Sequence, residues 1–265
     1  MSGFIDLHNH LLPATDDGPA DLNEALSLAR ELAAKGYRKV AVTPHAKSGQ
    51  PDVAVIKKKV NALQKTLDEK KIPLTLYPGA EQHIEPETAA LLEKGYLMSL
   101  NKSRYLLLEL PMFQPLPPYT WPVLARLDHL GYIPIIPHPE RVAALQMNHR
   151  LLYQLYKAGA LFQVTWTALS GLLGPAASKT VRFMLKANLI HLLATDAHHS
   201  QSRLLALDKA YSFLEKTLGK SAVTDYLITR PQQVLADQAL NLSPPLSARN
   251  TDPRRVPLLA RLFRA

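Results

Sequence analysis

Short apolar runs alternate with longer amphipathic stretches along most of the chain. The runs at 4–8, 39–43, 74–77, 105–110, 133–136, 160–165 and 189–195 are nearly continuous in apolar residues, the pattern of strands covered on both faces. Between them the apolar positions recur at helical spacing. Asp21 is placed to N-cap a helix that buries Leu22, Ala25, Leu26, Ala29 and Leu32 and ends near Gly36. Residues 52–70 repeat Val53, Ile56, Val60, Leu63 and Leu67 in the same way. Pro86 suits the first turn of a helix carrying Ala89 and Leu92 and ending at Gly95. Further helices are expected over 120–130, 148–158, 176–187 and 203–217. Alternating β and α units imply a parallel sheet with right-handed crossovers. Seven units in about 200 residues predict an α/β barrel, closed or nearly so, with a doubly wound open sheet as the competing arrangement.

The pattern changes near residue 240. Leu242-Ser243-Pro244-Pro245-Leu246-Ser247 reads as a linker, and Val256, Leu258, Leu259, Leu262 and Phe263 then alternate with arginines. The division expected is a domain over 1–240 and a Pro/Arg-rich tail over 241–265. The tail reads as a frayed terminus, or as a short basic amphipathic helix for a partner or an anionic membrane surface. The net charge is +9, and five arginines against one aspartate put +4 of it in residues 246–265. The basic balance of the body is therefore modest and does not argue for nucleic acid. With no cysteine in 265 residues, both a disulfide framework and a thiolate metal site are excluded. The N-terminal segment Met1-Ser2-Gly3-Phe4 has neither a basic nor an apolar leader, and no apolar run is long enough to span a bilayer, so a cytoplasmic location is expected.

Metal-type side chains fall at the ends of the apolar runs. His8 and His10 end the first, His45 the second, and Glu81 follows the third after Pro78-Gly79. Glu109 lies late in the fourth, His138 ends the fifth, and Asp196 and His198 end the seventh. In a parallel α/β barrel all strand C-termini open on one face, where active sites are built. Buried carboxylates without partners are costly, and a cation is their natural partner. Alternate strand residues point the same way, so His8 and His10 can reach one ion, and Asp196 and His198 repeat the spacing. Asp6, two residues before His8, suits a structural hydrogen-bonding role or one that orients a ligand. Asp16-Asp17-Gly18 reads first as a turn; beside a metal rim, Asp17 becomes a further ligand. About nine nitrogen and oxygen donors exceed the needs of one ion and fit two or three, of manganese, iron or zinc. Such sites activate water and clamp phosphoryl oxygens. Arg141, three residues after His138, and Arg203, five after His198, are positioned to hold phosphate. Tyr119 and Trp121, after the proline-rich stretch 115–118, either line an aromatic pocket or belong to a stiffened surface loop. His83, His129, His149, His191 and His199 are given structural roles.

Several segments resemble the polymerase and histidinol phosphatase (PHP) superfamily, and within it the manganese-dependent tyrosine-protein phosphatases of bacterial capsule and exopolysaccharide synthesis, the CpsB/CapC/YwqE type. They are Ile5-Asp6-Leu7-His8-Asn9-His10, Asp16-Asp17-Gly18, Thr43-Pro44-His45, Gly79-Ala80-Glu81, Ser103-Arg104-Tyr105 through Glu109-Leu110-Pro111, His138-Pro139-Glu140-Arg141 and Thr195-Asp196-Ala197-His198. The resemblance implies a distorted (β/α)7 barrel of the TIM-like PHP fold and three metal ions. It also implies hydrolysis of phosphotyrosine by a metal-activated hydroxide, on the tyrosine-rich tail of a bacterial tyrosine kinase that governs polysaccharide export. It makes Asp17 a ligand, Arg141 and Arg203 the phosphate clamp, and a homo-oligomer the expected assembly. Ala46, Thr165 and the proline-free Ser200-Gln201-Ser202-Arg203-Leu204 depart from the family's usual residues beside the substrate. Two rival readings remain: a PHP phosphoesterase for a small phosphomonoester such as histidinol phosphate or for nucleic acid, and a non-catalytic metal-binding scaffold.

Overall fold

Each of the seven anticipated runs contains a strand in the computed structural model, which describes residues 3–199 and 206–246. The elements are β1 (Phe4–Asn9), α1 (Leu22–Ala34), β2 (Tyr37–Val42), β3 (His45–Ala46), α2 (Val53–Glu69), β4 (Thr75–Pro78), β5 (Glu81–His83) and α3 (Thr88–Glu93). They continue with β6 (Tyr105–Glu109), α4 (Thr120–His129), β7 (Ile133–Pro137), α5 (Ala143–Met147), α6 (Arg150–Lys157), β8 (Leu161–Thr165) and α7 (Trp166–Leu169). The chain closes with α8 (Gly174–Lys186), β9 (Leu192–Ala194), α9 (Ala206–Leu218), α10 (Lys220–Thr224), a π turn over Asp225–Thr229 and α11 (Arg230–Leu235).

Every pairing between these strands is parallel. One sheet has the order β1-β2-β4 and the other β3-β5-β6-β7-β8-β9. The short β3 and β5 were not anticipated. They continue β2 and β4 beyond the interruptions Thr43-Pro44 and Gly79-Ala80, where Pro44 has no N–H to give a ladder. Backbone bonds bridge the gap, Gly79 N donating to Val42 O (3.1 Å) and Glu81 N to Pro44 O (3.0 Å). At the far end, Asp196 N donates to His8 O and His10 N to Ala197 O, both at 3.0 Å, so the exit of β9 lies beside the exit of β1. The result is an α/β domain built on parallel sheets.

Two apolar clusters hold it together. The larger joins one face of the strands (Val40, Val42, Leu106, Leu108, Ile136, Phe162, Leu193) to the helices. The smaller gathers the opposite face, with Ile5, Leu7, Ala41, Leu107, Ile135, Leu161 and Leu192, floored by Val234 and Leu235 of α11. Helix α1 starts as expected: Asp21 accepts from Asn23 N (2.8 Å) and Glu24 N (3.0 Å). Its buried face includes Leu28 but not Leu22, which is 43% exposed because the first turn overhangs the core. In α2, Ile56, Val60, Leu63 and Leu67 are buried at 3.6 spacing as expected.

The stretch 243–246 runs along the domain surface. Asn188 Nδ2 donates to Ser243 O (2.8 Å), Tyr153 OH to Leu246 O (2.7 Å), and Leu246 N to Ala187 O (2.9 Å). The arginine-rich residues from 247 onward and Arg203 lie outside the described residues. No helix among the described residues is long and apolar enough to cross a membrane.

Candidate metal centre

The smaller core cluster explains where the site sits. Strand alternation carries Leu107 to Glu109, Leu161 to Gln163, and Leu192 through Ala194 to Asp196, so the apolar floor turns polar at the strand exits. The backbone there bends to aim the side chains, with His138 at φ 34° and Asp196 at φ 50° in the left-handed region.

Glu81 stands at the centre and is fully buried. Its Oε2 lies 3.1 Å from His8 Nε2, 3.4 Å from His10 Nε2 and 3.0 Å from His45 Nδ1, while Oε1 lies 2.8 Å from His138 Nε2. Asp196 Oδ1 approaches His8 Nε2 (3.4 Å) and His10 Nε2 (3.5 Å). Glu109 reaches His45 Nδ1 (3.8 Å) through Oε2 and His138 Nε2 (3.9 Å) through Oε1. Asp17, 66% exposed at the mouth, is 3.2 Å from His198 Nε2 and 3.5 Å from His45 Nε2. Each of the nine residues expected as ligands is thus in the cluster. Among the described residues, three overlapping groups could each hold a cation: His8, His10 and Glu81; His45, Glu81 and Glu109; His10, Asp17, His45 and His198.

The chemistry of the donors fits divalent cations. The Nε2 atoms of His8 and His10 face each other at 3.1 Å and turn toward one carboxylate oxygen, an arrangement better served by a shared cation than by two imidazoles alone. Burial alone would raise the Glu81 carboxyl, but attraction to His8 and hydrogen bonds from His10, His138 and His45 hold it well below the usual carboxylate range. Burial pushes the His10 imidazole down, and its bonds to Asp16, Asp196 and Glu81 overcome this and raise it well above its ordinary value. His45 and His138 are raised as well, Glu81 outweighing burial in both. A pocket that draws protons onto imidazoles also draws cations, because both answer the same buried negative charge.

Around the donors lies a shell that orients them. His8 Nδ1 meets Gln163 Oε1 at 3.0 Å, and His10 Nδ1 meets Asp16 Oδ2 at 2.7 Å. Asp16 Oδ2 also accepts from His45 N (2.9 Å). Asp6 behaves as expected: its carboxylate accepts from Thr195 N (3.0 Å), Thr195 Oγ1 (2.5 Å) and Asn9 Nδ2 (3.2 Å) beneath β1. Sequence reasoning missed Asp16 and Gln163. Gln163 had a signal, a polar residue inside an otherwise apolar run; Asp16 had none beyond its turn. His83, given a structural role, stands on the rim with Nδ1 3.5 Å from Glu109 Oε2.

Arg141 enters the site from the 3-10 turn Pro139–Arg141 after β7, and its Nη1 donates to Asp196 Oδ2 at 2.9 Å. Glu140, beside it, is buried and accepts from Thr165 N (3.0 Å) and Oγ1 (2.7 Å), which ties this turn to the exit of β8. Tyr119 packs half-buried against the core, and Trp121 lies at the surface in the first turn of α4. In the loop after β6 the exposed aromatic is instead Phe113, 88% exposed.

The family of capsular polysaccharide synthesis proteins CpsB/CapC matches residues 4–236. The chain belongs to this family. It is similar to the tyrosine-protein phosphatase YwqE of Bacillus subtilis (strain 168), 36% identical over 245 residues, covering 91% of this chain and 95% of that protein. The tyrosine-protein phosphatase CpsB of Streptococcus pneumoniae is 28% identical over 244 residues, covering 89% of this chain and all of that one. A solved structure from a study of YwqE from Bacillus subtilis and CpsB from Streptococcus pneumoniae, unique metal-dependent tyrosine phosphatases, is similar at a TM-score of 0.85 and 35% identity, covering 91% of this chain and 98% of that chain. An inactive dihydroorotase-like domain from Chaetomium thermophilum, at 12% identity and a TM-score of 0.52, shares the fold alone.

Proposed function

We propose that this chain is a metal-dependent protein-tyrosine phosphatase, a phosphoric monoester hydrolase on a distorted (β/α)7 barrel. The observation that carries the proposal is the shared use of Glu81, His10 and His45 by three overlapping donor groups, with Arg141 beside Asp196. The kinship to tyrosine phosphatases supports the substrate class.

His8, His10, Glu81 and Asp196 would hold one cation. His45, Glu81, Glu109 and His138 would hold a second, and His10, Asp17, His45 and His198 a third. Nitrogen and oxygen donors suit manganese, with iron or zinc as alternatives. Divalent ions bound there supply positive charge for phosphate oxygens and a water of lowered pKa as nucleophile. Arg141 offers a planar fork of N–H groups to the non-bridging oxygens, and Arg203 is proposed as a second phosphate-binding arginine. The bond from Thr165 Oγ1 to Glu140 fixes the turn that carries Arg141, so the guanidinium is positioned before substrate arrives. Gln163, Asp16 and Asp6 keep the imidazoles and the β1 exit in place. Phe113 offers an apolar face on the loop above β6 for the substrate's ring.

The proposed physiological substrate is the phosphorylated tail of a bacterial tyrosine kinase that controls capsule or exopolysaccharide synthesis. The enzyme would act in the cytoplasm, as a homo-oligomer. The test is a panel of phosphotyrosyl peptide, histidinol phosphate and oligonucleotide with the manganese-loaded protein. Preference for the peptide, lost in His8→Ala and Asp196→Ala, is expected. Equal activity in those variants, or preference for another substrate, would overturn the proposal.

A further inference from the structure

Lys59 projects from the middle of α2, and its ammonium is committed to one short stretch of a distant loop. Nζ donates to Pro13 O (3.2 Å), Ala14 O (2.8 Å) and Thr15 Oγ1 (2.8 Å). An ammonium has three donors, and all three are used. The helix is a rigid post, because Ile56, Val60, Leu63 and Leu67 of the stripe beside Lys59 are buried. The loop needs such a post. Ala14 sits at φ 47°, a left-handed conformation that costs a non-glycine residue energy. Two further bonds fold the loop on itself, Ala14 N to Pro19 O (2.9 Å) and Thr15 Oγ1 to Pro13 O (3.1 Å).

What this loop carries is Asp17. The other members of the outermost donor group, His10, His45 and His198, stand at strand exits: His45 is paired in β3, His10 N donates to Ala197 O, and His198 follows Ala197. Asp17 comes from the loop and is the most exposed donor of the group, so its place beside His198 and His45 depends on the loop being ordered. We propose that Lys59 is a positioning residue for the outermost cation site: it clamps residues 13–15 so that Asp17 completes the group with His10, His45 and His198. The inference rests on the metal-dependent reading given above.

The test is a titration of the purified full chain with Mn2+, following free ion by electron paramagnetic resonance, for wild type, Lys59→Met, Lys59→Arg and Asp17→Asn. Removing a group that orients a ligand weakens metal affinity about 10- to 100-fold. Lys59→Met is expected to weaken the same ion that Asp17→Asn weakens, by about tenfold, and to leave the others unchanged. Lys59→Arg should recover part of the loss, since a planar fork cannot reach all three acceptors. Asp17→Asn weakening one ion while Lys59→Met weakens none would overturn the role of Lys59 and leave the metal reading intact, even if Lys59→Met lowered the thermal midpoint. A wild-type chain that binds no Mn2+ would instead overturn the metal reading, and this inference with it.

Discussion

Arg141 Nη1 lies 2.9 Å from Asp196 Oδ2, so an arginine from the turn after β7 grips a carboxylate at the exit of β9. The pair joins the proposed phosphate clamp to a proposed metal donor. A guanidinium held this way is pre-aimed at the site rather than swinging in from solvent.

Replacing Arg141 should therefore damage catalysis more than metal binding. Arg141→Ala is expected to lower kcat/KM for an aryl phosphate by about 10²–10³-fold, the usual cost of losing one preorganised donor. Arg141→Lys should recover only a fraction, because the ammonium lacks the fork. Metal content measured on the same preparations should match wild type. A variant that loses metal and activity together would place Arg141 among the groups that hold the cluster.

Ion removal should register in stability as well as activity. Glu81 is fully buried among four imidazoles, and a bound cation stabilises only the folded chain. Manganese at about a hundred times its dissociation constant adds about 2.7 kcal/mol per site. The thermal midpoint should fall with a chelator and return with Mn2+. In Glu81→Gln the response should shrink sharply; an undiminished response would remove Glu81 from the centre.

Gly18 has no room for a side chain. A Cβ there would stand 2.2 Å from His10 O and 3.0 Å from Asp16 Oδ1. Gly18→Ala should push the loop off the strand exit and weaken the Asp16–His10 bond, now 2.7 Å. The expected readout is a loss of Mn2+ affinity of about tenfold or more, with most of the folded stability retained. Wild-type affinity would mean that the loop does not set the site.

His191 gives a pH dependence that belongs to the fold. Burial, assisted by the charge of Arg230, lowers its imidazole to about 3, and its Nδ1 accepts from Phe162 N at 2.9 Å. The unfolded chain takes up this proton near pH 6.5 and the folded chain near 3, so the unfolded state binds more protons between them. Stability from this group is complete above about pH 6.5 and is lost as pH falls toward 3, on the order of 2 kcal/mol by about pH 5. Urea titrations at several pH values should show a shallower acid loss in His191→Gln. Equal slopes would rule out this histidine as the source.

The alternation of apolar runs and helical stripes located the strands, most of the longer helices and eight of the nine proposed donors, because each of those eight sits at or just past the end of a run whose direction the parallel order fixes; Asp17 lies in the loop after β1. The same pattern missed β3 and β5, whose two and three residues are too short for periodicity to register. It placed Leu22 inside, since a stripe does not show where the core stops beneath a helix end. It left open whether Tyr119 and Trp121 line a pocket or belong to a surface loop, and it did not single out Phe113, the aromatic that the loop exposes. It left His83 off the rim, although β5 carries it there.

What the sequence by itself determined is which side chains could serve as donors and their common side of the sheet, because side-chain chemistry and strand alternation are local properties. The family's likeness in sequence also carried the reaction class. What only the tertiary structure decided is who orients whom. Gln163 on His8, Asp16 on His10, Arg141 on Asp196 and Lys59 on the Asp17 loop are separated by 155, 6, 55 and 44 to 46 residues. Hydrogen bonds act over about 3 Å, and except for Asp16 on His10 these pairs meet only when the chain has folded.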